Sequence, residues 1–341
     1  MFRSYRKAAQ PTFVAVVLGL FMLVLAACSG VSPTVASLSL SSAQSQKNQQ
    51  AQTYTCTQTC TYTYSFTTLN DQHDPTFNQL LGINTSGKIA GYFGSGSANH
   101  PNKGYTLVSP YGQGNYSNEN FPGSVQTQVT AINNNGETAG FWVDGQGNNF
   151  GFIDWDGHFT SYKDPNTGTG TVNQLLGINN AGIAVGFYTD GNGVNHAYEL
   201  NRQTGKFTDI VPVNGASTTA TGINNNGDVV GFFIDAHGNT DGFLLKNHTF
   251  THLSFPNSNN TQPFGLNDGD QIVGTYAGSS NSTHGFLLSN PLGQKSFQSI
   301  DVPYGIGTTT LNGINDAGWL VGFYVDGTGN TDGVLIRPIA S

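Results

Sequence analysis

Gly222–Leu245 reads GINNNGDVVGFFIDAHGNTDGFLL, and versions of this stretch occur six times along the 341-residue chain. An Asn that follows Ile or Leu anchors each copy: Asn84, Asn133, Asn179, Asn224, Asn267 and Asn315. The intervals between anchors are 49, 46, 45, 43 and 48 residues, and a Gly stands seven places after every anchor. Five copies also carry Gly three places after the Asn; in the fifth copy, Asn267-Asp268-Gly269-Asp270, it falls one place early. Periods in the forties belong to propeller blades and to helical-pair repeats, so residue content has to decide.

That content is strand. Val229-Val230-Gly231-Phe232-Phe233-Ile234 is β-branched and aromatic, short, and bounded by turn residues. Asn224-Asn225-Asn226-Gly227 supplies the positive φ of a tight hairpin, and Asp326-Gly327-Thr328-Gly329-Asn330 marks the next turn in the same way. The unit divides into four short strands: one ending at Gly-Ile-Asn, then Val229–Ile234, Gly242–Lys246 and Thr249–Ser254. Four strands in about 45 residues match a blade. The strands are apolar on both faces, as sheets sandwiched between two neighbours should be. The Gly seven after each anchor fits a place with no room for a side chain.

The last copy stops after its third strand, Gly333–Ile336, while Tyr64-Ser65-Phe66-Thr67-Thr68-Leu69 precedes the first copy and resembles Thr249–Ser254. The predicted fold is therefore all-β, a six-bladed β-propeller of four-stranded blades, with the last blade completed by the N-terminal strand. Such closure removes an open sheet edge.

Ahead of the repeats, Arg3, Arg6 and Lys7 precede an apolar run, Phe13–Leu25, which reads as a targeting segment over residues 1–28. It ends Leu25-Ala26-Ala27-Cys28, which resembles the lipobox of bacterial lipoproteins. That resemblance implies cleavage before Cys28, lipid attachment to its sulfur and a cell-envelope address outside the cytoplasm. Ser29 follows, so the resemblance carries no inner-membrane retention signal. Residues 29–61 are rich in Ser, Thr, Gln and Ala and read as a flexible tether, with the propeller domain occupying 62–341. Cys56 and Cys60 end the tether. On one extended strand they would lie about 13 Å apart, so a disulfide requires a turn at Thr57-Gln58-Thr59; outside the cytoplasm it is favoured over free thiols.

The Gly-Ile-Asn-x-x-Gly unit, followed by a three-residue motif, is similar to the HAF-type extracellular repeat of bacteria. The tripeptide is His196-Ala197-Tyr198 and His284-Gly285-Phe286 in two copies. It becomes Lys103-Gly104-Tyr105, Phe150-Gly151-Phe152, Asp241-Gly242-Phe243 and Asp332-Gly333-Val334 in the others. The resemblance covers about residues 75–341 and implies an exported, propeller-like repeat protein without implying an activity.

Charge narrows the function. Beyond residue 28 there are nine Lys and Arg against 20 Asp and Glu, which disfavours nucleic acid and polybasic membrane binding. The six anchor Asn residues read as turn makers. Asp235–Asp241 and Asp326–Asp332 lack the carboxylate density of a calcium loop. His248 and His252 have helical zinc spacing but lie on a strand, so no metal site is expected. No Gly-x-Ser-x-Gly elbow and no phosphate-cradling loop occur, and no catalytic residue or cofactor is assigned. Trp142, Trp155 and Trp319 depart from the repeat, and Trp155-Asp156-Gly157-His158 falls at a predicted turn. Trp155, Asp156 and His158 are the ligand-binding candidates, since an exposed Trp beside polar groups suits sugars. The expected function is a monomeric, non-catalytic binding module for a glycan or an envelope protein. The competing reading is a secreted polysaccharide hydrolase or lyase with carboxylates at the propeller mouth.

Overall fold

The computed structural model describes residues 50–55, 61–278 and 282–339, with side-chain burial from residue 63 onward. The candidate lipid-attachment residue Cys28 and the pair Cys56 and Cys60 lie outside the described residues.

The chain is an all-β propeller of four-stranded blades. The unit around Asn224 shows the pattern: Ser217–Ile223, Val229–Ile234, Thr240–Lys246 and Thr249–Leu253 form an antiparallel sheet in chain order. The units around Asn84, Asn133 and Asn179 each form a separate four-stranded sheet of the same kind. The last two units share one nine-stranded sheet, in which a single parallel pairing, Thr283 with Thr308, joins the strands Thr283–Ser289 and Gly305–Ile314.

The N-terminal strand, Thr61–Thr68, pairs antiparallel with the last strand of the chain, Thr331–Ile339, Phe66 standing opposite Ile336. This is the closure expected from Tyr64–Leu69. One further strand, Gln50–Thr55, lies outside Thr61–Thr68 and pairs with it, Thr55 opposite Thr61. Six residues of the expected tether are therefore sheet. Their Gln/Thr-rich sequence carries no apolar alternation, and the partner strand supplies the hydrogen bonds that composition alone does not announce.

The repeated glycines have separate causes. Each innermost strand carries a bulge opposite the Gly seven after the anchor, for example between Ala220 and Gly222 facing Gly231. The bulge pushes the Thr219 carbonyl inward, so a Cβ built on Gly231 would lie 2.1 Å from that oxygen. The close approach is thus within a blade.

The middle residue of the tripeptide faces the next blade instead. A Cβ on Gly104, Gly151, Gly242, Gly285 or Gly333 would come within 2.6–3.0 Å of Val129, Leu175, Pro263, Leu311 or Leu80 respectively. The last of these joins the final unit to the first. In the remaining copy the tripeptide carries Ala197, and the residue at the matching position of the next unit is Ala220; both are buried in one apolar cluster. An added methyl on one side of the seam is matched by a smaller side chain on the other, which keeps the volume near constant.

Candidate functional site

The first hairpin of each unit gathers at the propeller axis. Every anchor Asn is buried. Its Oδ1 accepts the backbone N–H groups two and four residues on, as from Asn226 and Asp228 to Asn224 (3.1 and 2.9 Å), or the hydroxyl of Ser86 and N–H of Lys88 in the first unit. Its Nδ2 donates to the carbonyl of the next anchor. These bonds run Asn84 to Asn133, Asn179, Asn224, Asn267, Asn315 and back to Asn84, each 2.9–3.2 Å long. The same side chain makes the turn and links the units.

A second course lies outside the first. The N–H groups of Thr85, Asn134, Asn180, Asn225 and Asp268 each donate to the side-chain oxygen of the next unit's residue, ending at Asp316 (2.8–2.9 Å). At the first unit the position is Thr85, whose hydroxyl donates to Asn134 Oδ1 at 2.9 Å beside its own backbone N–H. The two courses line an axial cavity of about 70 Å³ whose mouth is amide-rich and carries two carboxylates, Asp268 and Asp316.

Because antiparallel strands reverse at alternate ends, the hairpin after the third strand of a unit lies on the same face as its anchor. Trp155-Asp156-Gly157-His158 is such a hairpin. Asp156 and Gly157 both have positive φ, 54° and 77°, and Trp155 pairs with His158, as a two-residue primed turn requires. Trp155 is 55% exposed, whereas Trp142 is stacked on Phe121 and Phe150 and donates Nε1–H to Ser161, and Trp319 is half-buried beside Gly87. Of the three tryptophans that break the repeat, Trp155 offers its surface to solvent.

Arg202 lies over the Trp155 ring, 5.2 Å from its centroid, and its guanidinium is 2.9 Å from the buried Glu137 carboxylate. The other oxygen of Glu137 accepts from Asn133 Nδ2 at 2.6 Å. One contact chain therefore runs from the exposed indole to the axial ring. The residues Arg202 and Glu137 were not singled out from sequence, since they sit 47 and 18 residues from Trp155 with no shared pattern. A second ionic group on the adjoining units joins Lys246 to Asp228 and Asp270, each 2.8 Å away; its bonds to Asp228 and then Asp270 hold the ammonium above its ordinary pKa.

Between the first and second units, burial pushes the Glu119 carboxyl up to about 7 against the opposing hydrogen bond from Thr138 Oγ1 (2.7 Å), and the nearby Asp154 pushes it the same way. Asp154 Oδ1 is buried there without a hydrogen-bond partner among the described residues. Glu119 was not a candidate from sequence.

At the far end of the blades, the Asp turns are closed by hydrogen bonds within the turn. Oδ1 of Asp235 accepts the N–H groups of His237 and Asn239 (2.8 and 2.9 Å) and Oδ2 accepts from Asn239 Nδ2 (3.0 Å). The Asn239 amide in particular holds this carboxyl below its usual range. Asp144, Asp190 and Asp326 repeat the Oδ1 arrangement. His248 sits in a turn at φ 60° while the strand residue His252 faces Asp241 at 3.2 Å. Among the described residues no three His, Cys, Asp or Glu side chains gather as a metal site.

No protein-family model matches the chain, and no curated protein matches it. Solved structures do. A putative TolB from Agrobacterium tumefaciens superposes with a TM-score of 0.54 at 10% identity, over 82% of this chain and 99% of its own. AofleA from Arthrobotrys oligospora follows at 0.50 and 13% identity, over 82% and 90%. A mutant of the Aleuria aurantia lectin in complex with Fucα1-6GlcNAc reaches 0.47 at 10% identity, over 78% and 95%. At these identities the likeness is one of fold.

Proposed function

We propose that this protein is a six-bladed propeller, lipid-anchored through Cys28 on the outer side of a cell membrane, that binds a glycan on the face carrying the axial mouth. Six Asn side chains bonded head to tail around the axis support the count of six. The nine-stranded sheet then comprises two blades that touch at one pairing. The address rests on the lipobox-like Leu25-Ala26-Ala27-Cys28 and is tested by membrane release on Cys28→Ala substitution. A Cys56–Cys60 bridge is supported by the pairing of Thr55 with Thr61 on its two flanks. Alkylation with and without reductant, followed by mass spectrometry, tests it.

The observation that carries the ligand reading is the exposed Trp155 indole, held by Arg202 on the same face as an amide-rich rim that includes the carboxylates Asp268 and Asp316. A sugar presents one apolar face and many hydroxyls. An open indole supplies stacking, and Asn134, Asn180 and Asn225 present amides on the same face, which suits hydroxyl groups. Binding there requires no bond to be broken. The test is a glycan array with residues 29–341, which retain the strand Gln50–Thr55, alongside Trp155→Ala. Binding that the substitution abolishes supports the reading. Binding unchanged by Trp155→Ala, or a silent array with a protein captured from the envelope, replaces it with another surface or a protein ligand.

A further inference from the structure

The fifth unit carries a constellation at the end of the blade remote from the anchors that the binding reading does not use. His284, in the strand Thr283–Ser289, has Nδ1 2.9 Å from Asp301 Oδ2 and Nε2 2.8 Å from Ser282 Oγ. A carboxylate only accepts, so Asp301 selects the tautomer with the proton on Nδ1 and leaves the Nε2 lone pair facing the Ser282 hydroxyl. Asp301 also accepts from Ser299 Oγ at 3.2 Å, and Ser299 Oγ accepts from Tyr276 at 3.0 Å. The Tyr276 ring stacks on the imidazole with centroids 5.2 Å apart. The imidazole is therefore fixed both in its plane and across it. Its side chain is 29% exposed, so a substrate can reach it from solvent.

We infer that Ser282, His284 and Asp301 form a nucleophile, base and orienting acid able to hydrolyse short-chain carboxylic esters. In that step Ser282 Oγ attacks the ester carbonyl carbon as its proton passes to His284 Nε2, and Asp301 stabilises the imidazolium. The carbonyl–alkoxy bond breaks, and the leaving alkoxide takes the proton from Nε2. Water, deprotonated by the same nitrogen, then releases the carboxylic acid and restores the hydroxyl. The order of contacts, hydroxyl on Nε2 and carboxylate on Nδ1, is what this chemistry needs. In the third unit His196 also stacks on a tyrosine, Tyr188, but there Nε2 faces the Asp190 carboxylate at 3.1 Å, so the nitrogen that meets the Ser282 hydroxyl in the fifth unit meets an acid instead. It is an internal control.

Incubating the purified full chain with a fluorophosphonate, followed by peptide mapping, tests the inference. The expected result is a single adduct on Ser282, absent in Ser282→Ala, with labelling slowed roughly 100-fold or more in His284→Gln. Asp301→Asn slows it too, His196→Gln leaves it unchanged, and p-nitrophenyl acetate gives a burst that Ser282→Ala removes. Two results overturn it: no adduct on Ser282 in protein with the parent's melting transition, or equal labelling rates in the parent and His284→Gln. Either would make the three residues a hydrogen-bonded staple of the blade. Loss of glycan binding in Trp155→Ala bears on the opposite face and leaves this inference untouched.

Discussion

In four of the six units, the first two hairpins use the same turn and differ in one atom. At the axis, Asn224 Oδ1 accepts the N–H groups two and four residues on; at the far end, Asp235 Oδ1 does the same. The second side-chain atom separates them. Asn224 Nδ2 must donate across a seam to Asn267 O, whereas Asp235 Oδ2 only accepts from Asn239 within its own turn. Local geometry tolerates either residue type, and contact with the next unit fixes the choice.

The contrast can be broken most forcefully by Asn224→Asp. A buried carboxylate would then face the Asn267 carbonyl and Asp228, whose Oδ2 is 3.3 Å from the present Nδ2. A loss of about 3–5 kcal/mol is expected in denaturant melts, and a loss below 1 kcal/mol would show that the ring is dispensable. Next is Ala220→Leu, which overfills the seam against Ala197 and should cost about 1–3 kcal/mol. Adding Ala197→Gly recreates the Gly–Leu pairing of the Gly151–Leu175 seam and should recover most of the loss. Strict additivity in the double-mutant cycle would refute the compensation.

A smaller effect belongs to the seam between the first two units. The Glu119 carboxyl is raised from 4.5 to about 7, so the folded chain holds the proton more tightly than the unfolded chain. Its contribution is whole below pH 4.5 and is lost as pH rises through about 7. Melting temperature should fall across that window, and Glu119→Gln should flatten the slope; an unchanged slope would remove Glu119 as its source. The smallest effect is expected for Asp235→Asn, which keeps the Oδ1 acceptor and crosses no seam. Its melt should superimpose on the parent's.

The blade was legible because each element has a local signature. Asn-Asn-Asn-Gly and Asp-Gly-Thr-Gly-Asn specify positive-φ turns, the Val229–Ile234 type of run specifies strand, and a truncated last copy with a spare strand ahead of the first specifies closure. Trp155 was legible as an exception to the repeat. The strand Gln50–Thr55 was not, because its composition matches an unstructured linker and only pairing with Thr61–Thr68 gives it form.

By itself, then, the sequence determined the repeat, the turn chemistry, the four-strand unit and the closing strand, all set by residues within a few positions of one another. Tertiary structure decided what lies across the seams. It bonded Asn315 to Asn84, matched Ala197 with Ala220, laid Arg202 over Trp155, and brought Asp301 to the imidazole that faces Ser282. The physical reason is separation. These partners stand 17 to 231 residues apart, and each contact depends on the register and twist of two strands or blades, which no short-range pattern in the chain encodes.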